Sequence, residues 1–123
     1  MSKCVIDVGN CGPDHAAIRR LIEGNFDAQV AAADDLKSAL AVLDKSPADL
    51  VLVNRKLDLD YSDGMAIIRH LKSDDRWSSI PVMLITNYPE YQAEAVAAGA
   101  LPGFGKQELR TSETLEKLGK ILG

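Results

Sequence analysis

The sequence predicts a three-layer α/β fold with a parallel sheet at its centre. Three observations carry that prediction. The apolar runs Leu50–Val53 and Val82–Ile85 are short and are bounded by polar residues or proline, as expected for strands buried on both faces. Segments between the strand candidates repeat apolar residues at i, i+3, i+4 and i+7, the one-sided pattern of a helix lying on a sheet. Gly, Pro, Asn and Asp punctuate the joins. Short strands alternating with amphipathic helices imply parallel pairing, with helices on both faces.

Each element has its own justification. Cys4, Val5, Ile6 and Val8 make Lys3 to Val8 a first strand, broken by Gly9-Asn10-Cys11-Gly12-Pro13. Asp14 is placed to cap a helix carrying Ile18, Leu21 and Ile22, which Gly24-Asn25 stops. Ala28 to Ala32 forms a second strand. Asp34 or Asp35 caps a second helix with Leu36, Ala39, Leu40 and Leu43 on one face, and Pro47 ends it. The central strand runs to Asn54. A loop with Asp58, Asp60, Asp63 and Gly64 precedes a third helix holding Ile67, Ile68 and Leu71. Pro81 to Thr86 is a fourth strand, Glu90 to Ala98 a helix stopped by Gly99, and Leu101 to Gly105 a weak fifth strand. Leu115, Leu118, Ile121 and Leu122 mark a closing helix.

No repeat, low-complexity tract or linker divides the chain, so residues 1–123 read as one domain. A hydrophobic content of 46% supports a real core at this length. The net charge of -4, with no basic stripe, argues against direct nucleic-acid binding. The longest apolar run, Ile80 to Ile85, is too short for a bilayer and contains Pro81. The N-terminus has no signal-peptide stretch, and two cysteines are too few for a disulfide framework. Cys4 and Cys11 therefore read as reduced thiols in a cytoplasmic protein.

Asp49-Leu-Val-Leu-Val-Asn54, Asp63-Gly64, Ile80-Pro-Val-Met-Leu-Ile-Thr86, Ala98-Gly-Ala100 and Lys106 occur in a particular order. Together they resemble the receiver domain of two-component response regulators, over essentially the whole chain. The resemblance implies a flavodoxin-like sheet of order 2-1-3-4-5 with its site at the carboxyl edge. It further implies phosphoryl transfer to an aspartate. Two acids after the first strand would help hold Mg²⁺, and a Ser/Thr and a Lys would grip the phosphoryl oxygens.

Matched position by position, Thr86 and Lys106 are retained. The phosphoacceptor position holds Asn54, whose carboxamide has no anionic oxygen to attack phosphorus. The acid pair falls on Gly9 and Asn10 without a gap; Asp7 takes the role only if the following loop is longer. The resemblance thus implies a pseudo-receiver with weak or lost Mg²⁺ binding and no catalysis. Gly103 takes the aromatic switch position with Phe104 beside it, and Gln107 replaces the proline after the lysine, removing the expected cis-peptide turn.

Two further expectations concern the pocket. Asp7 is the candidate partner for Lys106, because a partly buried charge needs pairing. Arg55 or Lys56 is a candidate cation standing where Mg²⁺ would sit, the alternative being a loop charge paired with Asp58 or Asp60. Asp58, Asp60 and Asp63 lack the glutamate of a Ca²⁺ loop. Gly9 to Gly12 matches neither common phosphate-loop spacing and reads as a turn. His15 and His70 read as isolated and exposed, and Trp77 as a lid on a helix end. No Ser-His-Asp or Cys-His arrangement is present in pattern.

Partners implied by the resemblance are a kinase or output domain, met through the fourth helix, fifth strand and fifth helix. That face would draw on Tyr88, Tyr91, Phe104, Leu109 and the polar side of Thr111 to Lys120. Neither nucleic acid nor membrane is expected. Two alternatives stay open: a phosphorylatable receiver using a displaced acid such as Asp58, and a small flavodoxin-like ligand binder using Gly9–Gly12. A stand-alone adaptor and a domain of a longer regulator fit the sequence equally.

Overall fold

Leu50–Asn54 is the middle strand (β3), and Leu50, Val51, Leu52 and Val53 are wholly buried. The computed structural model describes residues 2–123. Around β3 lie β1 (Lys3–Val8), β2 (Ala28–Ala33), β4 (Val82–Ile85) and β5 (Leu101–Phe104), all parallel, in the order β2-β1-β3-β4-β5. The helices are α1 (Gly12–Asn25), α2 (Leu36–Lys45), α3 (Met65–Ser73), α4 (Pro89–Ala97) and α5 (Ser112–Leu122). This is the flavodoxin-like arrangement expected from the sequence.

The pleat divides the core. Leu50 and Leu52 pack with Ile18 and Ile22 of α1 and Leu118 and Leu122 of α5. Val51 and Val53 face the other way, onto Ala39 and Leu43 of α2, Ile67, Ile68 and Leu71 of α3, and Ala95 of α4. Period-two side chains on one strand thus meet two separate helical layers. Among the described residues no helix is long and apolar enough to cross a membrane.

Capping follows the sequence in one helix and departs from it in another. Asp35 accepts from the Ser38 N–H at 2.9 Å, while the Ser38 hydroxyl accepts from the Asp35 N–H at 3.1 Å, a reciprocal box. Asp14 does not cap α1. Cys11 is the cap residue, makes no side-chain cap bond, and leaves Asp14 inside the first turn. Pro13 there loses no helical hydrogen bond, because the first N–H groups of a helix have no intrahelical partner. At α5 the Thr111 hydroxyl accepts from Thr114 N–H at 3.3 Å.

Two local devices shape the carboxyl edge of the sheet. The loop after β3 folds into a small hairpin, with Leu57 N–H on Ser62 O at 2.9 Å and Gly64 N–H on Arg55 O at 2.8 Å. The register between β4 and β5 shifts between Met83 and Ile85. Gln92 of α4 fills that irregularity: its amide donates to Leu84 O at 2.9 Å and accepts from Gly103 N–H at 2.9 Å. Gly103 is required here, since a Cβ would collide with the Leu84 carbonyl. Phe104 is fully buried in the α1/α5 layer, so it is core and not part of an exposed face, contrary to expectation. No peptide bond is cis among the described residues, and a 3₁₀ turn over Lys106–Glu108 follows β5.

Candidate functional site

Asn54 ends β3, and its amide is used entirely as a local donor. Nδ2 donates to Lys56 O at 2.7 Å and to Gly9 O at 3.3 Å, joining the loops after β3 and β1. Gly9 adopts a left-handed φ of 83° and packs tightly beneath Leu57, leaving no room for a side chain. The end of β1 therefore presents a backbone carbonyl to Asn54.

Asp7 does not reach that edge. Its Cα partner on β3 is Leu52, two positions before Asn54. The residue is 1% exposed. One carboxylate oxygen accepts from Asn10 Nδ2 at 2.5 Å, the other pairs with His15 Nδ1 at 2.7 Å. Burial pushes the carboxyl above its usual range, and the His15 and Asn10 hydrogen bonds with the charges of His15 and Lys106 oppose that rise. Asn10, at an expected acid position, is turned inward onto Asp7 in place of facing solvent.

The expected Asp7–Lys106 pair is not formed. Lys106 Nζ instead meets Asp14 Oδ2 at 2.8 Å, and that hydrogen bond holds the Asp14 carboxyl below its usual range. Asp14 stands in the first turn of α1 within reach of the Lys106 side chain, whereas the Asp7 carboxylate is held by His15 of the same helix. His15 is accordingly not an isolated exposed residue: its side chain is 19% exposed and pairs with the most buried acid in the fold. The first-turn carboxylate of Asp14 also disfavours an anion at Gly9–Gly12.

Arg55 and Lys56 both line the cleft beside Asn54, and among the described residues neither pairs with Asp58 or Asp60. The Arg55 guanidinium lies 4.1 Å over the Tyr91 ring and 3.2 Å from Asp63. Lys56 is exposed. Thr86 is buried, with its hydroxyl accepting from Tyr88 N–H at 3.3 Å. Between them opens a cleft of about 460 Å³, walled by Asn54, Arg55, Lys56, Thr86, Tyr91 and Lys106. Asp58 is exposed on the hairpin, its backbone N–H on Gly9 O. His70 is exposed as expected, and Trp77 is a half-buried lid with its Nε1–H unpartnered. No group of three or more His, Cys, Asp or Glu side chains is gathered for a metal among the described residues.

A family model described as the response regulator receiver domain matches residues 14–115. The chain belongs to that family. Receiver domains work in two-component signalling with kinases and output domains. Solved receivers share the fold of this one at low identity. Vibrio cholerae chemotaxis protein CheY4 superposes with a TM-score of 0.76 at 18% identity, covering 99% of this chain and 100% of that one. The signal receiver domain of a DNA-binding response regulator from Colwellia psychrerythraea 34H gives 0.80 at 21%, covering 97% and 99%. The BeF3-activated N-terminal receiver domain of Klebsiella pneumoniae RstA gives 0.80 at 21%, covering 97% of each. No curated protein matches. The family match to this receiver begins at Asp14, beyond the loop holding Gly9 and Asn10.

Sequence reasoning missed His15, Asp14, Gln92 and the stacking role of Tyr91. A signal existed for His15. Asp7 shares its strand face with buried Val5, so it had to find a partner on the helix packed there. Nothing in the pattern announced Gln92, because the register shift it fills arises only when β5 pairs with β4.

Proposed function

We propose that this receiver domain signals without accepting a phosphoryl group, through contact with another signalling protein. One observation carries the reading. Where a Mg²⁺-dependent phosphoacceptor needs carboxylates, the sheet edge offers Gly9, Asn10 and Asn54, and both asparagine amides already donate hydrogen bonds. Asp7 lies deeper, with both oxygens engaged. This donor set does not fit Mg²⁺, which wants anionic oxygens in octahedral array. A carboxamide in place of the carboxylate offers no nucleophile for phosphorus.

The route from pocket to surface also lacks the usual parts. Gly103 has no ring to swing, and Gln92 ties α4 to both β4 and β5. The face formed by α4, β5 and α5 is the proposed contact surface, with Tyr88 58%, Val96 44% and Leu101 40% exposed. Exposed aromatic and aliphatic groups of this kind anchor protein contacts. The Arg55–Tyr91 stack braces its α4 edge.

Intact mass after incubation with acetyl phosphate and Mg²⁺ tests the reading. The expected mass is unchanged, and amide spectra with Mg²⁺ and beryllofluoride show no saturable shift at Asn54, Thr86 or Lys106. The variant Asn54→Asp is expected to stay unmodified too, because no carboxylate joins it from Gly9 or Asn10. It should also lose about 1 kcal/mol at neutral pH, since a new carboxylate faces the Gly9 and Lys56 carbonyl oxygens. One added phosphoryl group on the unmodified sequence, mapped to Asp58 or elsewhere, overturns the proposal.

A further inference from the structure

The hairpin between β3 and α3 carries the two most exposed large hydrophobic side chains among the described residues, Leu59 at 62% and Tyr61 at 78%. Neither lines the cleft beside Asn54 or belongs to the face of α4, β5 and α5. We infer that this hairpin, with the groove beside it, is a second docking surface whose occupant is a cationic amphipathic segment of another protein.

The apolar groups make the site. Leu57 is buried against Gly9, and the Asp58 N–H donates to Gly9 O at 2.9 Å. At the apex the Tyr61 N–H donates to Leu57 O at 2.8 Å and the Ser62 N–H to Asp60 Oδ1 at 3.0 Å. Side chains presented on so well bonded a turn lose little freedom when a partner covers them. Tyr61 has φ 59°, a left-handed backbone that suits glycine and that bulky residues rarely adopt. Burial of its ring within the chain does not offset that cost, because the residue stays exposed. A groove of about 300 Å³ opens between the hairpin, α2 and α3, lined by Leu36, Leu57, Ala66 and Ile67. Exposed anchors beside an apolar groove suit the apolar stripe of a helix.

The surrounding charge selects the occupant. Asp34, Asp58 and Asp60 are exposed and Asp35 is half-buried, and among the described residues none of the four is in an ion pair. Hydrogen bonds from Ser38 hold the Asp35 carboxyl below its usual range and the Asp60 charge opposes them, so Asp60 and the start of α2 share one acidic field. Against these acids stand Lys37 on the groove wall and Lys56 at the base of the hairpin, while Arg55 and Asp63 pair with each other. Lysine or arginine side chains complement this field, whereas a second copy of the chain would bring the same acids to it.

The test is an ¹⁵N NMR titration of the full chain with a short synthetic leucine–lysine peptide of helical apolar repeat. Its leucine–glutamate counterpart and an oligolysine of equal length are the controls. The leucine–lysine peptide is expected to give saturable shifts at the amides of Asp35, Leu36, Leu59, Tyr61 and Ala66, weakened by added salt. Tyr61→Gly should weaken binding about tenfold without lowering the Tm, since glycine adopts this φ freely. Leu59→Ser should act in the same direction on an exposed position. Asp60→Asn keeps an oxygen for the Ser62 N–H and should weaken binding about threefold while flattening its salt dependence.

Absent saturation overturns the inference, as does equal binding of the acidic peptide or of oligolysine. Shifts centred on Tyr88, Val96 and Leu101 overturn it too, because they place the peptide on the other face. Binding that survives both Tyr61→Gly and Leu59→Ser unchanged does the same.

Discussion

His15→Ala is expected to destabilise the protein by about 2 kcal/mol at neutral pH, and by clearly less near pH 4. The side chain covers Asp7, whose carboxylate has no exposed surface, and supplies one of its two side-chain hydrogen bonds. Removing one member of such a pair leaves a buried charge with incomplete compensation. The direction with pH follows from burial, which raises the folded-state pKa of Asp7 above its ordinary 3.8. A carboxyl raised on folding contributes stability that is fully present below the unfolded value and is lost as pH rises through the folded one. Losing His15 removes a hydrogen bond and a charge that both pull the folded value down. The gap widens, so the penalty grows toward neutrality. Urea melts of both proteins at the two pH values measure it, and an equal loss at both contradicts the account.

Gly64→Ala is expected to destabilise by about 3 kcal/mol, although alanine suits the local backbone. Gly64 has φ -61° and ψ -22°, ordinary right-handed values, so no conformational penalty arises. The cost is collision: a Cβ there would run into the Asn54 carbonyl and crowd the Val53 side chain. Asn54 cannot retreat, because β3 is paired on both sides by β1 and β4. Relief has to come from α3 or the hairpin, and either shift disturbs Lys56 and the cleft beside Asn54. Gly24→Ala is the control. Nothing lies within 4 Å of a Cβ at that helical position, so a gain of up to about 1 kcal/mol is expected from helix propensity. Thermal melts of the two variants should move in opposite directions.

The strands and helices were legible because each rests on a local regularity, and the sheet order followed from the resemblance to receiver domains. Leu50–Val53 reads as buried on both faces from four adjacent apolar residues, and Leu36, Ala39, Leu40 and Leu43 read as one helical stripe. The absence of acids at Gly9, Asn10 and Asn54 was equally plain, since it depends only on which residue stands at a strand end.

What the sequence by itself determined, then, is the fold and the lack of carboxylates at Gly9, Asn10 and Asn54. The tertiary structure alone decided how the remaining charges pair. Lys106 had several carboxylates to choose among, and it took Asp14, 92 positions away, because packing brings the first turn of α1 within reach of the turn after β5. Asp7 took His15, and Arg55 turned to Tyr91 and Asp63. Phe104 went into the core while Gly103 met Gln92 at an irregular pairing of β4 and β5. Apolar patterning records which side of an element is dry, a property of one element at a time. A hydrogen bond or ion pair needs two atoms within about 3 Å, and that distance exists only after separate elements have packed.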